Sequence, residues 1–203
     1  MIKLIKTSQN KALSVNGNAL VYEDGSVPAG YRRLTGIVFD GGVHYETPFR
    51  LRGSDTLRFS YRASAAGNVI GCYSGNASKA NFSYYHAASA YMRHGTALAR
   101  PNVSSDTRYD IVAGPTGATG FPSSVTWQEA TFEVEGDFYI GMLANSSSAH
   151  LTGVIYDEIS IDGRACFVPV ERISDGAILY YERKSGSFYE NEGPGTPAAL
   201  GYV

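Results

Sequence analysis

Charge is scarce in this chain. Of its 203 residues only 18% are charged, and 17 Lys and Arg nearly balance 19 Asp and Glu, for a formal net charge of −2. This gives no sign of the basic surface typical of nucleic-acid or membrane-surface binding. No apolar run approaches bilayer-spanning length, and the short apolar start is too brief for a signal peptide. We therefore expect synthesis in a cytoplasm, no membrane insertion and no nucleic-acid partner.

Cysteine and histidine are also few. Two cysteines, Cys72 and Cys166, and four histidines show no spacing typical of zinc. Each cysteine lies in a strand-like apolar context, where a free thiol behaves as a small hydrophobe. The sequence does not decide whether the two cysteines form a disulfide. The aspartates lack EF-hand-like spacing. We expect no metal and no cofactor.

Glycine and tyrosine are abundant, with 23 and 15 residues, in a chain that is 43% hydrophobic. Residues 57–62 alternate apolar and polar side chains, the pattern of a half-buried strand. Similar segments recur every 8–12 residues between Gly and Asx turns, and no helical periodicity persists. We predict an all-β fold, with a two-sheet jelly-roll sandwich as the economical way to hide so many strand edges.

The chain divides into three predicted parts: a β element at residues 1–23, a linker at 24–30, and the sandwich at 31–203. The Asn16-Gly17 pair is a strong hairpin signal in the first part. So small a sheet is marginal alone. It is therefore either an extra strand pair packed on the sandwich or a docking element for a neighbouring protein.

The C-terminal stretch at residues 167–195 predicts a meander of three short strands with a turn after each. In chain order the segments are strand 167–172, turn Asp175-Gly176, strand 178–182, turn Ser185-Gly186, strand 188–189 and the closing turn 191–195. Glycine or Asx at these points avoids the steric cost of positive φ.

This meander resembles the one that closes a concanavalin A-like or laminin-G-like jelly roll in many phage and prophage structural proteins. The shared pattern is "VPV-R", "S-D-G", "Y-D/E", "S-G-F-Y" and "N-x-G-x-G", and the lead-in at residues 20–34 is similar to "LVYEG…LPAGYT-L". The resemblance implies a virion protein of the tail, baseplate or fibre, for adhesion to glycans or for particle decoration. It also implies docking to other virion proteins through residues 1–23 and a homo-oligomer, a trimer by analogy with fibres. The alternative is a glycan-binding module of a bacterial surface or secreted protein. A glycoside hydrolase is a weaker alternative.

An enzymatic role depends on paired carboxylates, since the glucan hydrolases among such sandwiches carry several acids on one strand face. The nearest segment contains Asp157, Glu158 and Asp162. Glu158 and Asp162 share one face but stand about 13 Å apart along a strand, beyond the spacing of either hydrolytic mechanism. No G-x-S-x-G elbow exists. We expect a binding protein rather than an enzyme.

Sugar binding needs exposed aromatic faces with hydrogen-bond donors beside them. The hairpin at residues 82–94 supplies these best, with Tyr84 and His86 on its first strand and Tyr91 and Arg93 on its second. Further candidates are Tyr73, Tyr85 and Trp127. Aromatic residues also fill sandwich cores, so the competing interpretation is that these rings are buried.

Overall fold

The computed structural model describes residues 27–72, 81–128, 132–143 and 150–203 in full, and the backbone of three strands within residues 3–22. Throughout these residues the protein is all-β, which confirms the predicted fold class. No helix long and apolar enough to cross a membrane occurs in this part of the chain.

Nineteen strands are described. In chain order they are β1 Lys3–Lys6, β2 Lys11–Val15, β3 Asn18–Tyr22, β4 Tyr31–Asp40, β5 Tyr45–Thr47, β6 Leu57–Ala63, β7 Gly67–Cys72, β8 Asn81–His86, β9 Tyr91–Gly95, β10 Ala97–Ala99, β11 Arg108–Gly114, β12 Gly117–Thr119, β13 Val125–Thr126, β14 Phe138–Ile140, β15 Thr152–Ile161, β16 Ala165–Arg172, β17 Ile178–Glu182, β18 Ser187–Tyr189 and β19 Ala198–Tyr202.

The strands form two large antiparallel sheets and one small one. The six-stranded sheet has the order β10-β9-β8-β7-β14-β5. The ten-stranded sheet has the order β13-β12-β11-β6-β15-β4-β16-β17-β18, with β19 also paired to β4. One hydrophobic cluster takes side chains from both large sheets, so they pack face to face as in a β-sandwich.

Alternation decides which side chains enter this core. In β6 the apolar Leu57, Phe59, Tyr61 and Ala63 are buried, whereas the alternating Arg58 and Arg62 are exposed. Because successive strand residues point to opposite sheet faces, one row fills the core and the other meets solvent. The alternation predicted for this segment is confirmed.

The closing meander also forms as the sequence indicates. Strands β16, β17 and β18 pair in order, and the intervening turns place Gly176 and Gly186 at φ +74°. That conformation is costly for a residue with a β-carbon. The Asn191 side chain donates to the carbonyl oxygens of Gly193 and Gly195 and so holds the closing turn.

Several strand assignments are corrected. The glycine-rich sequence at 114–120 is typical of a loop, but the segment contains β12, which pairs with β11 as a short hairpin. The apolar residues between 125 and 134 predict one continuous strand, but in the described residues of this segment only β13 forms. Strands β5, β10 and β19 were not predicted. Each of these three has only three to five residues, too few for a distinct periodic signal.

The N-terminal strands form a separate three-stranded antiparallel sheet in the order β1-β2-β3. The Asn16-Gly17 turn lies outside the described residues, as do residues 24–26 of the expected linker. The division into element, linker and sandwich stays a prediction.

Candidate functional site

The hairpin of β8 and β9 forms as predicted, but its four candidate residues lie on opposite faces. Tyr84 is opposite Met92 on the core side, and Tyr85 is opposite Tyr91 on the outer side. His86 shares the core side with Tyr84, because the two are two residues apart on one strand. The hairpin therefore separates Tyr84 and His86 from Tyr91 and Arg93.

Tyr84 and His86 belong to a buried polar network, which corrects their assignment to a ligand site. Tyr84 is 0% exposed and His86 1% exposed. The hydroxyl of Tyr84 hydrogen-bonds that of Tyr61, whose oxygen lies 3.1 Å from Nδ1 of His86. Burial raises the pKa of Tyr84 and lowers that of His86, so both stay neutral near pH 7. Neither ring can stack against a ligand.

The outer side of the hairpin carries the other two candidates, together with Tyr85. The rings of Tyr85 and Tyr91 are stacked, with centroids 5.2 Å apart and an interplanar angle of 17°. The Cζ atom of Arg93 lies 5.9 Å from the Tyr91 ring centroid. All three side chains are half-buried. We call Tyr85, Tyr91 and Arg93 the tyrosine face.

The two remaining aromatic candidates do not join this face. Trp127 is buried, its ring stacks on His94 at 4.8 Å between centroids, and its Nε1–H donates to the carbonyl oxygen of Pro115. Tyr73 lies outside the described residues.

An acidic group stands at the opposite edge of the same outer face. Tyr139 on β14 lies opposite Glu46 on β5. Burial and the neighbouring Glu46 raise the pKa of Asp137 above its usual range. Burial, followed by the neighbouring Glu46, likewise raises the pKa of Tyr139. The outer face thus carries Arg93 on β9, one strand in from the β10 edge, and acidic side chains at the β5 edge, a distribution that emerges only once the strands are paired.

A cleft of about 370 Å³ opens beside the closing meander, in the range usual for small-molecule sites. We call it the meander pocket. It is lined by Pro48, Phe49, Arg164, Phe167, Lys184 and Tyr189, with Glu182 and Ser185 at the turn between β17 and β18. The three aromatic rings are contiguous, since the Phe167 centroid lies 6.2 Å from that of Phe49 and 5.9 Å from that of Tyr189.

Glu182 fixes the turn at the pocket rim. Its carboxylate accepts hydrogen bonds from the backbone N–H groups of Cys166, Lys184 and Ser185, at 2.9, 3.1 and 2.6 Å. Backbone donors can stabilise a buried carboxylate in place of water. The negative charge is therefore satisfied within the protein, and the turn is held in one shape.

Arg164 and Lys184 place two cations on the pocket. The Arg164 guanidinium forms an ion pair with the buried Asp55, donates to the carbonyl oxygen of Arg50 at 3.1 Å and lies 4.6 Å from the Phe49 ring centroid. The Lys184 ammonium donates to the carbonyl oxygen of Gly163. Arginine has five N–H donors and lysine three. Among the described residues, acceptors occupy two donors of Arg164 and one of Lys184, so both cations retain donors for a ligand.

The acids considered for hydrolysis on β15 are dispersed. A bulge lies at Asp157, which has φ +51°, and its side chain is exposed, whereas those of Ile155 and Ile159 are buried. Glu158 pairs with Arg33 and Arg183, and Asp162 pairs with Arg58. These surface ion pairs do not resemble a proton-transfer pair.

The metal-ligating side chains and the two thiols do not form a site in the described residues. In the fully described segments, no three His, Cys, Asp or Glu side chains converge to hold a metal ion. Cys72 is buried, Cys166 is half-buried, and both are free thiols.

Comparison with known proteins adds no relative: the chain matches no family model, and no curated protein sequence matches it.

Proposed function

We propose that this chain is a structural protein of a bacteriophage virion, in the tail, baseplate or fibre, and that its sandwich is a lectin-like jelly roll that binds glycans. The observation that carries the binding proposal is the tyrosine face. A pyranose ring has an apolar face that stacks on aromatic rings and polar edges that take hydrogen bonds. Tyr91 supplies such a ring, and Arg93 supplies donors beside it.

The stacked geometry favours binding because it reduces the entropic cost. Tyr85 is directly opposite Tyr91 on the neighbouring strand, so each ring restricts the other before any ligand arrives. Preorganised side chains lose little rotamer freedom on binding. A flat, partly exposed pair of rings on a rigid sheet suits repeated weak contacts, which adhesion proteins combine through several copies.

The virion part of the proposal is supported by the two sequence motifs at residues 20–34 and 167–195, and by the small sheet of β1 to β3. A three-stranded sheet of four- and five-residue strands buries little by itself. We propose that residues 1–23 dock on a neighbouring virion protein, and that the protein assembles as a homo-oligomer, a trimer if it belongs to a fibre.

A glycan array tests the binding proposal with two matched variants. Tyr91→Ala removes the outer ring. Tyr156→Ala is the control, because Tyr156 is half-buried on the other sheet and has Arg108 Cζ 4.4 Å from its ring centroid. We expect Tyr91→Ala to lose array signal and Tyr156→Ala to keep it. Equal signal from both variants would rule out the tyrosine face.

The virion proposal is tested by locating the chain. Mass spectrometry of particles purified from a lysate should find it, and a variant lacking residues 1–23 should fold yet be missing from particles. Presence of the full chain only on a bacterial surface or in a secreted fraction would instead support the alternative, a bacterial glycan-binding module.

A further inference from the structure

The meander pocket is separate from the tyrosine face and differs from it in chemistry. Its floor is aromatic, with the partly exposed rings of Phe49 and Tyr189 packed on the fully buried Phe167, and the cations Arg164 and Lys184 also line it. Apolar walls with a few convergent polar groups are typical of sites for small ligands. A volume of about 370 Å³ lies at the small end of such sites, which suits a single sugar ring rather than a chain of them.

The charges around the pocket favour an anionic ligand. Two carboxylates stand close by, but both are already satisfied. Asp55 accepts the Arg164 guanidinium and the backbone N–H of Arg52, and Glu182 accepts three backbone N–H groups. The donors that remain belong to cations and have no acceptor among the described residues. A ligand carboxylate would supply the missing acceptor.

Arg164 is also preorganised for this role. Its ion pair with Asp55, its bond to the carbonyl oxygen of Arg50 and its contact with the Phe49 ring hold the guanidinium plane in one orientation. A planar guanidinium matches the geometry of a planar carboxylate. The apolar floor below it fits the face of a pyranose ring, whereas an inorganic anion has no apolar face to place there.

We propose that the meander pocket binds one acidic sugar residue, a hexuronic acid, with its carboxylate against Lys184 and Arg164 and its ring over the aromatic floor. The choice of a sugar rests on the proposed glycan binding, whereas the location and the selectivity for acid rest on the pocket alone.

The test uses the full chain labelled with ¹⁵N and titrated with sodium D-glucuronate, with D-glucose and sodium acetate as probes for the ring and the charge separately. Glucuronate should shift the backbone amides of Phe49, Arg164, Lys184 and Ser185, while glucose and acetate shift them weakly. If glucose binds as tightly as glucuronate, the proposed selectivity for an acidic sugar is wrong. If acetate binds as tightly as glucuronate, the proposed contact between the sugar ring and the aromatic floor is wrong.

Lys184→Gln tests the role of the lysine charge. The Lys184 side chain is exposed, and the hydrogen bond from its backbone N–H to Glu182 is kept in the variant. Loss of one charge open to solvent should weaken glucuronate binding by about fivefold. Arg100→Gln removes an equal charge from an exposed position outside the pocket lining and should change nothing. Unchanged affinity in Lys184→Gln would refute the site. Substituting Arg164 would be less informative, because it leaves the Asp55 carboxylate buried without its partner.

The two binding proposals fail independently. Tyr91→Ala should leave the glucuronate titration unchanged, since the tyrosine face lies outside the pocket lining. Loss of array signal in that variant with an intact glucuronate titration supports both sites. Array signal that the unsubstituted chain gives and Tyr91→Ala loses, together with a failed glucuronate titration of the unsubstituted chain, refutes only the pocket.

Discussion

Replacing Tyr84 with alanine removes a fully buried ring from the centre of the sandwich. The Tyr84 centroid lies 5.3 Å from that of Tyr61, 5.5 Å from that of Phe121 and 6.2 Å from that of Phe59. Truncating a buried aromatic costs about 3–5 kcal/mol, from lost burial and the cavity left behind. For a chain of 203 residues, we therefore expect the melting temperature to fall by roughly 6–20 °C.

A second substitution separates the hydroxyl from the ring. Tyr84→Phe keeps the packing and removes only the bond to the Tyr61 hydroxyl, which retains its contact with His86. The net contribution of such a bond is about 1 kcal/mol, so the expected drop is roughly 2–4 °C.

The control is Tyr91→Ala, on the outer side of the same hairpin. Its main aromatic contact is the stacked Tyr85 ring, and such a pair contributes about 0.5–1.5 kcal/mol. Urea unfolding followed by fluorescence, with thermal melts in parallel, measures all three variants. A Tyr91→Ala variant as unstable as Tyr84→Ala would refute both the face assignment and the exposure that the tyrosine face needs.

Three further outcomes are expected. Gly120→Ala should lower the free energy of unfolding in urea by at least about 2 kcal/mol more than Gly163→Ala. Both glycines have positive φ, but only at Gly120 would the new Cβ overlap a backbone carbonyl. Equal losses in the two variants would contradict this. Burial lowers the pKa of His86, as it does for His44 and His94, so the unfolded chain binds more protons and the free energy of unfolding should decrease as pH falls below about 6.5. His86→Gln should remove its share and make the slope less steep, and an unchanged slope would count against the buried neutral His86. Burial raises the pKa of Cys72 to about 12 and that of Cys166 to about 11. Both thiols should therefore react slowly with maleimide at about pH 7.5 in the folded protein and rapidly in urea without reductant. Absence of labelling in urea would instead indicate a disulfide.

Local patterns were sufficient for much of the fold. The alternation in β6 and the turns around Gly176 and Gly186 depend on neighbouring residues alone, since sheet faces alternate with period two and positive φ favours glycine. The bulge at Asp157 could not be anticipated in this way. An extra residue in one strand is set by its pairing with the neighbouring strands, and here it leaves Asp157 exposed between the buried Ile155 and Ile159.

For the candidate sites, the sequence determined that the hairpin of β8 and β9 exists, but only the tertiary structure decided which of its faces meets the core. Both faces of β8 carry aromatic residues, Phe82 and Tyr84 on one and Tyr85 on the other, so hydrophobic alternation cannot distinguish them. The choice follows from packing against the ten-stranded sheet, which buries Tyr84 and leaves Tyr85 outside. The meander pocket depends on the same long-range assembly, because Phe49, Arg164 and Tyr189 come from distant parts of the chain and meet only where β-strand pairing brings their segments together.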